Sequence, residues 1–359
     1  MKRGFIFSLH SAAGLISGIF LFLISVSGSV LVFHDEIDRL EYPSIESRGD
    51  GPLLSIDSCY KLVRQQYPRA QLDHCKLPAT KHDPFVITFY DSSFANGNEP
   101  MQVFLHPQDG QILKTRSGRH NFVNWFAIMH NSFHLGKKGE WLFGFFALVF
   151  LLSILTGLVL YRKNILAVLL FKKSVLKKGN LHQVVGTWAL LFNLMIAITG
   201  YWMQRYVFKK EFYQAKTFTT VFKSSAPLCF SLDSALAAAG KKYPAFSSHV
   251  VYFARSSKGK TAIYGSQSSN SFIHSKDFAD VIFLDSTGAV SNTAFVNEID
   301  AASRYDIINS QIHFGQYGGL PVKIIYCLFG LSGSVLAITG FLLWLKRRTR
   351  AGEPGIRNV

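Results

Sequence analysis

Residues 9–34 read LHSAAGLISGIFLFLISVSGSVLVFH, and residues 181–206 read LHQVVGTWALLFNLMIAITGYWMQRY. Both open with Leu-His-x-x-x-Gly, and in both a glycine, Gly28 or Gly200, stands 18 residues after the histidine. The uncharged part of the first covers 23 residues from Ser11 to Phe33, and that of the second 24 from Leu181 to Gln204. Two further uncharged runs are Trp141 to Tyr161, with 21 residues, and Ile324 to Leu345, with 22. A helix rises about 1.5 Å per residue, so about 20 apolar residues cross a hydrocarbon core about 30 Å thick. In lipid the backbone must satisfy its own hydrogen bonds, which makes such runs helices rather than strands. Four transmembrane helices are therefore predicted, over 9–34, 141–161, 181–206 and 321–345.

Met1-Lys2-Arg3 ahead of an apolar run also describes a secretory leader. The run is longer than a leader core and ends in Phe33-His34-Asp35, not at a small-residue cleavage site, so an uncleaved anchor is expected. The formal net charge is +16, which in a soluble chain would suggest a nucleic-acid partner. Its placement argues otherwise. Lys2 and Arg3, the loop 162–180 (Arg162, Lys163, Lys172, Lys173, Lys177, Lys178) and the tail 346–359 (Lys346, Arg347, Arg348, Arg350, Arg357) hold 13 basic residues against one acid, Glu353. That is the positive-inside pattern, and it puts both termini and the middle loop in the cytoplasm. Trp141 and Trp202 then fall near the outer membrane boundary and Trp344 near the inner one, where amphipathic rings prefer to sit. The long segments 35–140 and 207–320 are left outside, each the size of a small domain.

Those two segments resemble one another. Ser55-Ile56-Asp57-Ser58 through Tyr67-Pro68 matches Ser231-Leu232-Asp233-Ser234 through Tyr243-Pro244 at identical spacing. Both read as capped helices stopped by proline. Alternating strands are predicted at Phe85–Tyr90 and Gln102–Leu105 in the first segment, and at Val250–Ala254, Thr261–Tyr264 and Val281–Leu284 in the second. Asp109-Gly110 and Thr287-Gly288 mark turns after the last strand of each. Asn131-Ser132-Phe133-His134-Leu135-Gly136 corresponds to Asn309-Ser310-Gln311-Ile312-His313-Phe314-Gly315. The motifs recur at offsets of 172, 176 and 179 residues, which describes a duplication with small insertions, both halves running in the same direction. Cys59 and Cys75 share the first outer segment, where they are either a disulfide or two small apolar residues.

The Leu-His-x-x-x-Gly opening, the Ser-Gly-Ser-Val-Leu-Val-Phe-His-Asp-Glu-Ile-Asp end of the first span and the order of the outer modules resemble PepSY-associated transmembrane proteins over nearly the whole chain. The resemblance implies a helical protein of the bacterial inner membrane, multi-pass with both termini cytoplasmic. It would have four transmembrane helices in a parallel tandem repeat and two periplasmic α+β PepSY-like domains. Members of that family include haem-containing reductases of ferric siderophores, so the implied activity is release of Fe(II) from a ferric siderophore or similar chelate.

Of twelve histidines, the repetition singles out His10 with His182 and His134 with His313. By topology the first pair lies at the cytoplasmic ends of spans one and three, the second at the periplasmic entrances of spans two and four. Neutral imidazoles on facing helices hold a haem iron between them, and Gly14, Gly18, Gly28, Gly186 and Gly200 would let a flat macrocycle or another helix approach. Two noncovalent b-type haems are expected, with His34 and His130 as candidates to replace an assigned ligand. His34 lies 24 residues beyond His10, and its counterpart is Tyr206, which breaks the symmetry. His74, His82, His106, His120, His249 and His274 are set aside. A zinc site from His130, His134 and His313 is the alternative, without cysteine or a Glu-rich motif to accompany it. The chain has no Gly-x-Gly-x-x-Gly turn, P-loop, Cys-x-x-Cys-His or iron–sulfur cysteine set, so electrons would come from a cytoplasmic donor or a membrane quinol. The competing readings are a non-catalytic PepSY binding or regulatory protein and a small transport component. Neither needs histidine pairs at both membrane faces.

Overall fold

The computed structural model describes residues 3–43, 51–91, 93, 99–172, 181–209, 211–212, 228–254, 259–269 and 271–352. Lys2, Lys173, Lys177, Lys178, Arg357 and Glu353, which entered the charge count, lie outside the described residues, as do parts of the segments 35–140 and 207–320. The chain divides into two compact units: 1–34, 126–215 and 312–359 form one, and 35–125 with 216–311 form the other.

The first unit is helical. Its elements are α1 (Arg3–Leu31), α5 (Gly136–Tyr161), α6 (Ile165–Leu169), α7 (Leu181–Trp188), α8 (Leu190–Gln204), α11 (Gly319–Gly330) and α12 (Ser332–Gly352). It also takes the first residue of α2 (His34–Leu40) and the ends of α4 (Phe122–Ser132) and α10 (Ala301–Phe314). Arg3–Leu31, Gly136–Tyr161 and Gly319–Thr349 are each long and apolar enough to cross a membrane. Their apolar side chains point outward as well as inward: Ile19, Leu152, Leu155, Phe341 and Leu342 are exposed, as lipid-facing residues would be. The segment 181–206, expected as a single helix, is instead two helices bent by 65°, so the described residues hold three candidate spans, or four if the bent pair is one. Asn193 just past that bend donates to the Ser332 hydroxyl at the start of α12, 3.1 Å away, so a polar pair is satisfied where two helix breaks meet.

Helix α1 packs on α5 and α12, α7 on α12, and α8 on α5. The approach of α1 to the α11–α12 break depends on small residues. Ser29 donates to the carbonyls of Ser25 (2.8 Å) and Cys327 (3.3 Å), and a Cβ on Gly330 would come within 2.6 Å of the Ser29 hydroxyl. This is the small-residue packing that brings helix backbones together in lipid.

The second unit is built on one antiparallel sheet. Strands β1 (Gln71–Lys76), β2 (Phe85–Tyr90), β3 (Pro100–Leu105), β4 (Ile112–Ser117), β5 (Phe246–Tyr252), β6 (Thr261–Gln267), β7 (Asp280–Leu284) and β8 (Val290–Ala294) run in the order β4-β3-β2-β1-β5-β6-β7-β8. The outer segments expected as two domains thus share one sheet, joined where β1 pairs with β5 through His74–Tyr252, Cys75–Val251 and Lys76–Val250. Each half would otherwise leave an unpaired strand edge, and pairing the edges removes both. Gly110 (φ 75°) and Gly288 (φ 84°) sit in left-handed turns, as expected, but each turn leads into a further strand, β4 or β8. Those strands, half-buried and polar, lack the apolar alternation that reveals the others.

Helices α3 (Ile56–Gln66) and α9 (Leu232–Lys242) have the predicted serine caps: Ser55 accepts from the Ser58 amide and Ser231 from the Ser234 amide. Between them runs a second, reciprocal set. Asp57 accepts from the Leu232 amide (2.8 Å) and the Ser231 hydroxyl (2.5 Å), and Asp233 accepts from the Ile56 (3.1 Å) and Asp57 (3.0 Å) amides. Each helix N-terminus is therefore capped by a carboxylate of the other half. Burial pushes the Asp57 carboxyl up, but the hydrogen bonds from Ser231 and Leu232 outweigh it and hold it below the usual carboxylate range. The core follows the same exchange, since Leu232, Val251 and Phe253 of the second half pack with Ile87, Phe89 and Leu105 of the first. Cys59 and Cys75 lie in this core as buried free thiols, and burial pushes the Cys59 thiol up to about 12.

Candidate functional site

Within the helical unit histidines come together in two places. His10 of α1 and His182 of α7 stand with ring centroids 6.2 Å apart and planes inclined by 74°. His130 of α4 and His313 of α10 stand with centroids 6.2 Å apart and planes inclined by 52°. Two imidazoles on opposite sides of one metal ion, at bonds of about 2.0–2.1 Å and with ring radii of about 1.1 Å, have centroids about 6.2–6.4 Å apart. Both pairs meet that separation.

The second pair corrects an expectation. His134 was matched to His313 through the Asn-Ser that precedes each, but the structure places His130 there. Helix α4 ends at Ser132, and Phe133 (φ 50°) and His134 (φ 57°) both take left-handed backbone conformations. That reversal carries His134 off the helical face and leaves it exposed, while His130, one turn earlier, stays on the face turned to α1. His134 does not join His130 and His313, and among the described residues no group of three or more His, Cys, Asp or Glu is placed to hold a metal ion. His34 is likewise elsewhere. It stands at the start of α2 beside Gln316, whose amide donates to the Val32 carbonyl (2.9 Å) and lies 3.4 Å from the His34 Nδ1. Its counterpart Tyr206 donates to Glu140, 2.8 Å away. His74, His106, His120 and His249 belong to the sheet unit, where each Nδ1 lies 2.6–3.2 Å from a carboxylate.

Each of the four paired histidines is seated in the same way. His10 Nδ1 lies 3.0 Å from the Ser153 carbonyl and 3.1 Å from the Thr156 hydroxyl. His130 Nδ1 lies 3.0 Å from the Ile24 carbonyl and 3.1 Å from the Ser27 hydroxyl. His182 Nδ1 is 3.0 Å from the Thr339 hydroxyl, and His313 Nδ1 is 2.9 Å from that of Thr199. A carbonyl can only accept. The hydroxyls are committed too, because Ser27, Thr156, Thr199 and Thr339 each donate to the carbonyl four residues earlier, at 2.6–2.8 Å. At His10 and His130, which face a carbonyl, Nδ1 must therefore carry the proton, and at His182 and His313 the committed hydroxyls favour the same tautomer, in which Nε2 keeps the lone pair that ligates a metal.

The residue after each hydroxyl is glycine, and the imidazole lies against it. A Cβ would come within 2.8 Å of the His130 Cε1 at Gly28, 3.0 Å of the His313 Cε1 at Gly200, 3.1 Å of the His10 Cε1 at Gly157 and 3.3 Å of the His182 Cε1 at Gly340. All are closer than the roughly 3.5–4.0 Å of ordinary carbon contact. The Ser/Thr-Gly dipeptides were missed in the sequence, although a signal was there. Ser27-Gly28 recurs as Thr199-Gly200 at offset 172, the offset of His10 and His182, and Thr156-Gly157 recurs as Thr339-Gly340 at 183, the offset of His130 and His313. The offset of 179 from His134 to His313 has no such companion.

Between His10 and His182 lies a cavity of about 380 Å³, within the size range of small-molecule sites and lined by α1, α5, α7, α8 and α12. Gly14, Gly157, Gly186 and Gly340 flatten its walls, and Leu21 and Phe150 make its inner part apolar. A slot apolar along most of its wall, with an imidazole from each of two helices, fits a haem. His10 and Ser27, which holds His130, are 17 residues apart on α1, or about 25 Å along a helix. The two histidine pairs thus stand toward opposite ends of one span.

A family model described as the PepSY-associated TM region matches residues 7–347, nearly the whole chain. No curated protein matches it.

Proposed function

Because this chain belongs to the PepSY-associated transmembrane family, we propose that it is a multi-pass protein of the bacterial inner membrane that carries electrons through two noncovalent b-type haems. Its substrate would be a ferric siderophore or other ferric chelate in the periplasm, reduced to release Fe(II). The observation that carries this reading is the pairing of His10 with His182 and of His130 with His313, each at 6.2 Å between centroids. The proposed topology counts α7 and α8 as one bent span, making four in a parallel tandem repeat. Both termini are cytoplasmic and the PepSY-like α+β segments are periplasmic, in keeping with the basic loop and tail.

His10 and His182 would hold one haem, His130 and His313 the other. Haem held by two neutral imidazoles supplies reversible one-electron transfer. The chain's own residues prepare for that. The hydroxyls and carbonyls favour a lone pair on each Nε2, the glycines give the rings room, and Leu21 and Phe150 keep water from the inner cavity. Iron leaves a hard-oxygen chelate on reduction because Fe(II) is the softer and more weakly held ion. The electron donor is a cytoplasmic protein or a membrane quinol. Purified protein should show low-spin bis-histidine spectra, oxidised and dithionite-reduced, with two haems per chain. Vesicles loaded with reductant should reduce a ferric chelate outside. A PepSY binding or regulatory protein, or a transport component, would show neither, and two haems without chelate reduction would leave a haem protein of another purpose.

A further inference from the structure

The cavity between His10 and His182 differs from one end to the other. Toward the middle of the span its walls are Leu15, Leu21, Phe150 and Leu190, while its opposite end, beside the first turns of α1, reaches Arg347 and Arg348 of α12. Both belong to the basic tail, but their neighbour Lys346 does not line the cavity and they do. Each guanidinium is held by an aromatic ring: Arg347 over Phe7, 4.3 Å to the centroid, and Arg348 over Trp344, 4.8 Å. Stacking fixes the plane of a guanidinium and leaves its edge N–H groups able to form paired in-plane bonds to a carboxylate. Among the described residues neither arginine is bonded to a carboxylate of the chain.

We propose that Arg347 and Arg348 are the carboxylate-binding rim of this cavity. They orient a dicarboxylate tetrapyrrole between His10 and His182, with its acid edge toward Phe7 and the two arginines and its apolar edge toward Leu21 and Phe150. This rests on the haem reading above and adds an orientation to it. Two cations stand at one end of an otherwise apolar slot, so an amphiphilic ligand with two acids on one edge enters one way round. The reverse orientation would bury two carboxylates against leucine and phenylalanine without partners, which is far more costly than leaving them in water. The acid edge then faces the side from which electrons arrive.

The test uses the full chain with His130→Ala and His313→Ala, so that only the inner pair can bind. Protein prepared without haem is titrated with haem b and with its dimethyl ester, which lacks both charges, and the low-spin absorbance is followed. The diacid should bind at least about tenfold more tightly, which is what one charge-assisted hydrogen bond supplies. In Arg347→Gln/Arg348→Gln the preference should vanish while the low-spin spectrum persists, since His10 and His182 remain. The single variants Arg347→Gln and Arg348→Gln, each keeping most of the basic tail, should each lower it. Equal binding of diacid and ester by the parent, or a preference unchanged in both single variants, overturns the rim. If the parent binds neither porphyrin in a low-spin state, it is the haem reading that falls, and the rim with it.

Discussion

The sheet unit and the helical unit each draw one half from either of the two similar stretches of sequence, but only the sheet unit joins its halves by an exchange of side chains. In the sheet unit the exchanged groups are Asp57 and Asp233, and the exchange is complete: every carboxylate oxygen meets an amide or a hydroxyl of the other half. In the helical unit each half holds its own histidines, His10 on Thr156 and His130 on Ser27, His182 on Thr339 and His313 on Thr199. Across the halves the imidazoles approach in two pairs, His10 with His182 and His130 with His313. A seam whose groups are all satisfied holds a structure together. One that ties each Nδ1 within its own half and brings two imidazoles to 6.2 Å across the halves is arranged to take something between them.

The largest effects should come from the imidazoles. His130→Ala or His313→Ala should remove one of two low-spin haems, and His10→Ala or His182→Ala the other, as read by haem count per chain. His134→Ala should leave both. Loss of a haem in His134→Ala, with full content in His130→Ala, would restore the motif-based pairing and break the correspondence between the halves. Gly28→Val and Gly200→Val should lower outer-haem content with the ligands intact, because a side chain there meets the His130 or His313 ring.

How much of this was legible depended on the range of the signal. Uncharged length revealed the spans, and Ser55 with Ser231 revealed the paired helices, because both act within a few turns of chain. The joining of β1 to β5 was not legible, since nothing in Gln71–Lys76 or Phe246–Tyr252 marks them as partners rather than edges of separate sheets. The inner histidines were legible because they lie within the repeated Leu-His-x-x-x-Gly. The outer pair was misassigned because a shared Asn-Ser was given more weight than helix geometry. At Phe133 and His134 the chain turns left-handed, a conformation that local composition did not announce.

The reciprocal caps should have a smaller effect, confined to stability. Asp57→Ala frees the Leu232 amide and the Ser231 hydroxyl together and should cost about 1–2 kcal/mol, as loss of an N-cap does. The cost should appear in the melting of the sheet unit, with haem content unchanged. The folded carboxyl of Asp57 titrates below the usual range, so its contribution is complete above the unfolded value of about 3.9 and is lost as pH falls through the folded one. The parent should thus lose more stability than Asp57→Asn between pH 5 and pH 3. Equal losses would show that the seam is held by core packing around Leu232 and Phe253 alone.

The smallest effect separates two ligands of a single site. His130 rests on both the Ile24 carbonyl and the Ser27 hydroxyl, whereas the hydroxyl of Thr199 is the one hydrogen-bond partner of His313 among the described residues. Ser27→Ala therefore leaves the His130 Nδ1 proton an acceptor, and the lone pair stays on Nε2. Thr199→Val removes the only acceptor at His313, so nothing favours the tautomer that ligates, and the buried N–H is left without a bond. Groups that orient a ligating imidazole are worth about 10- to 100-fold in affinity, and the low end of about tenfold is expected for Thr199→Val. Ser27→Ala should cost no more than about threefold, since one of its two acceptors survives. Thr199→Ser keeps the hydroxyl and should behave as the parent. Dissociation of the outer haem, measured in a His10→Ala/His182→Ala chain, reads all three. Equal loss from Ser27→Ala and Thr199→Val would mean that the Ile24 carbonyl does not hold the proton. The four seats would then depend on their hydroxyls alone.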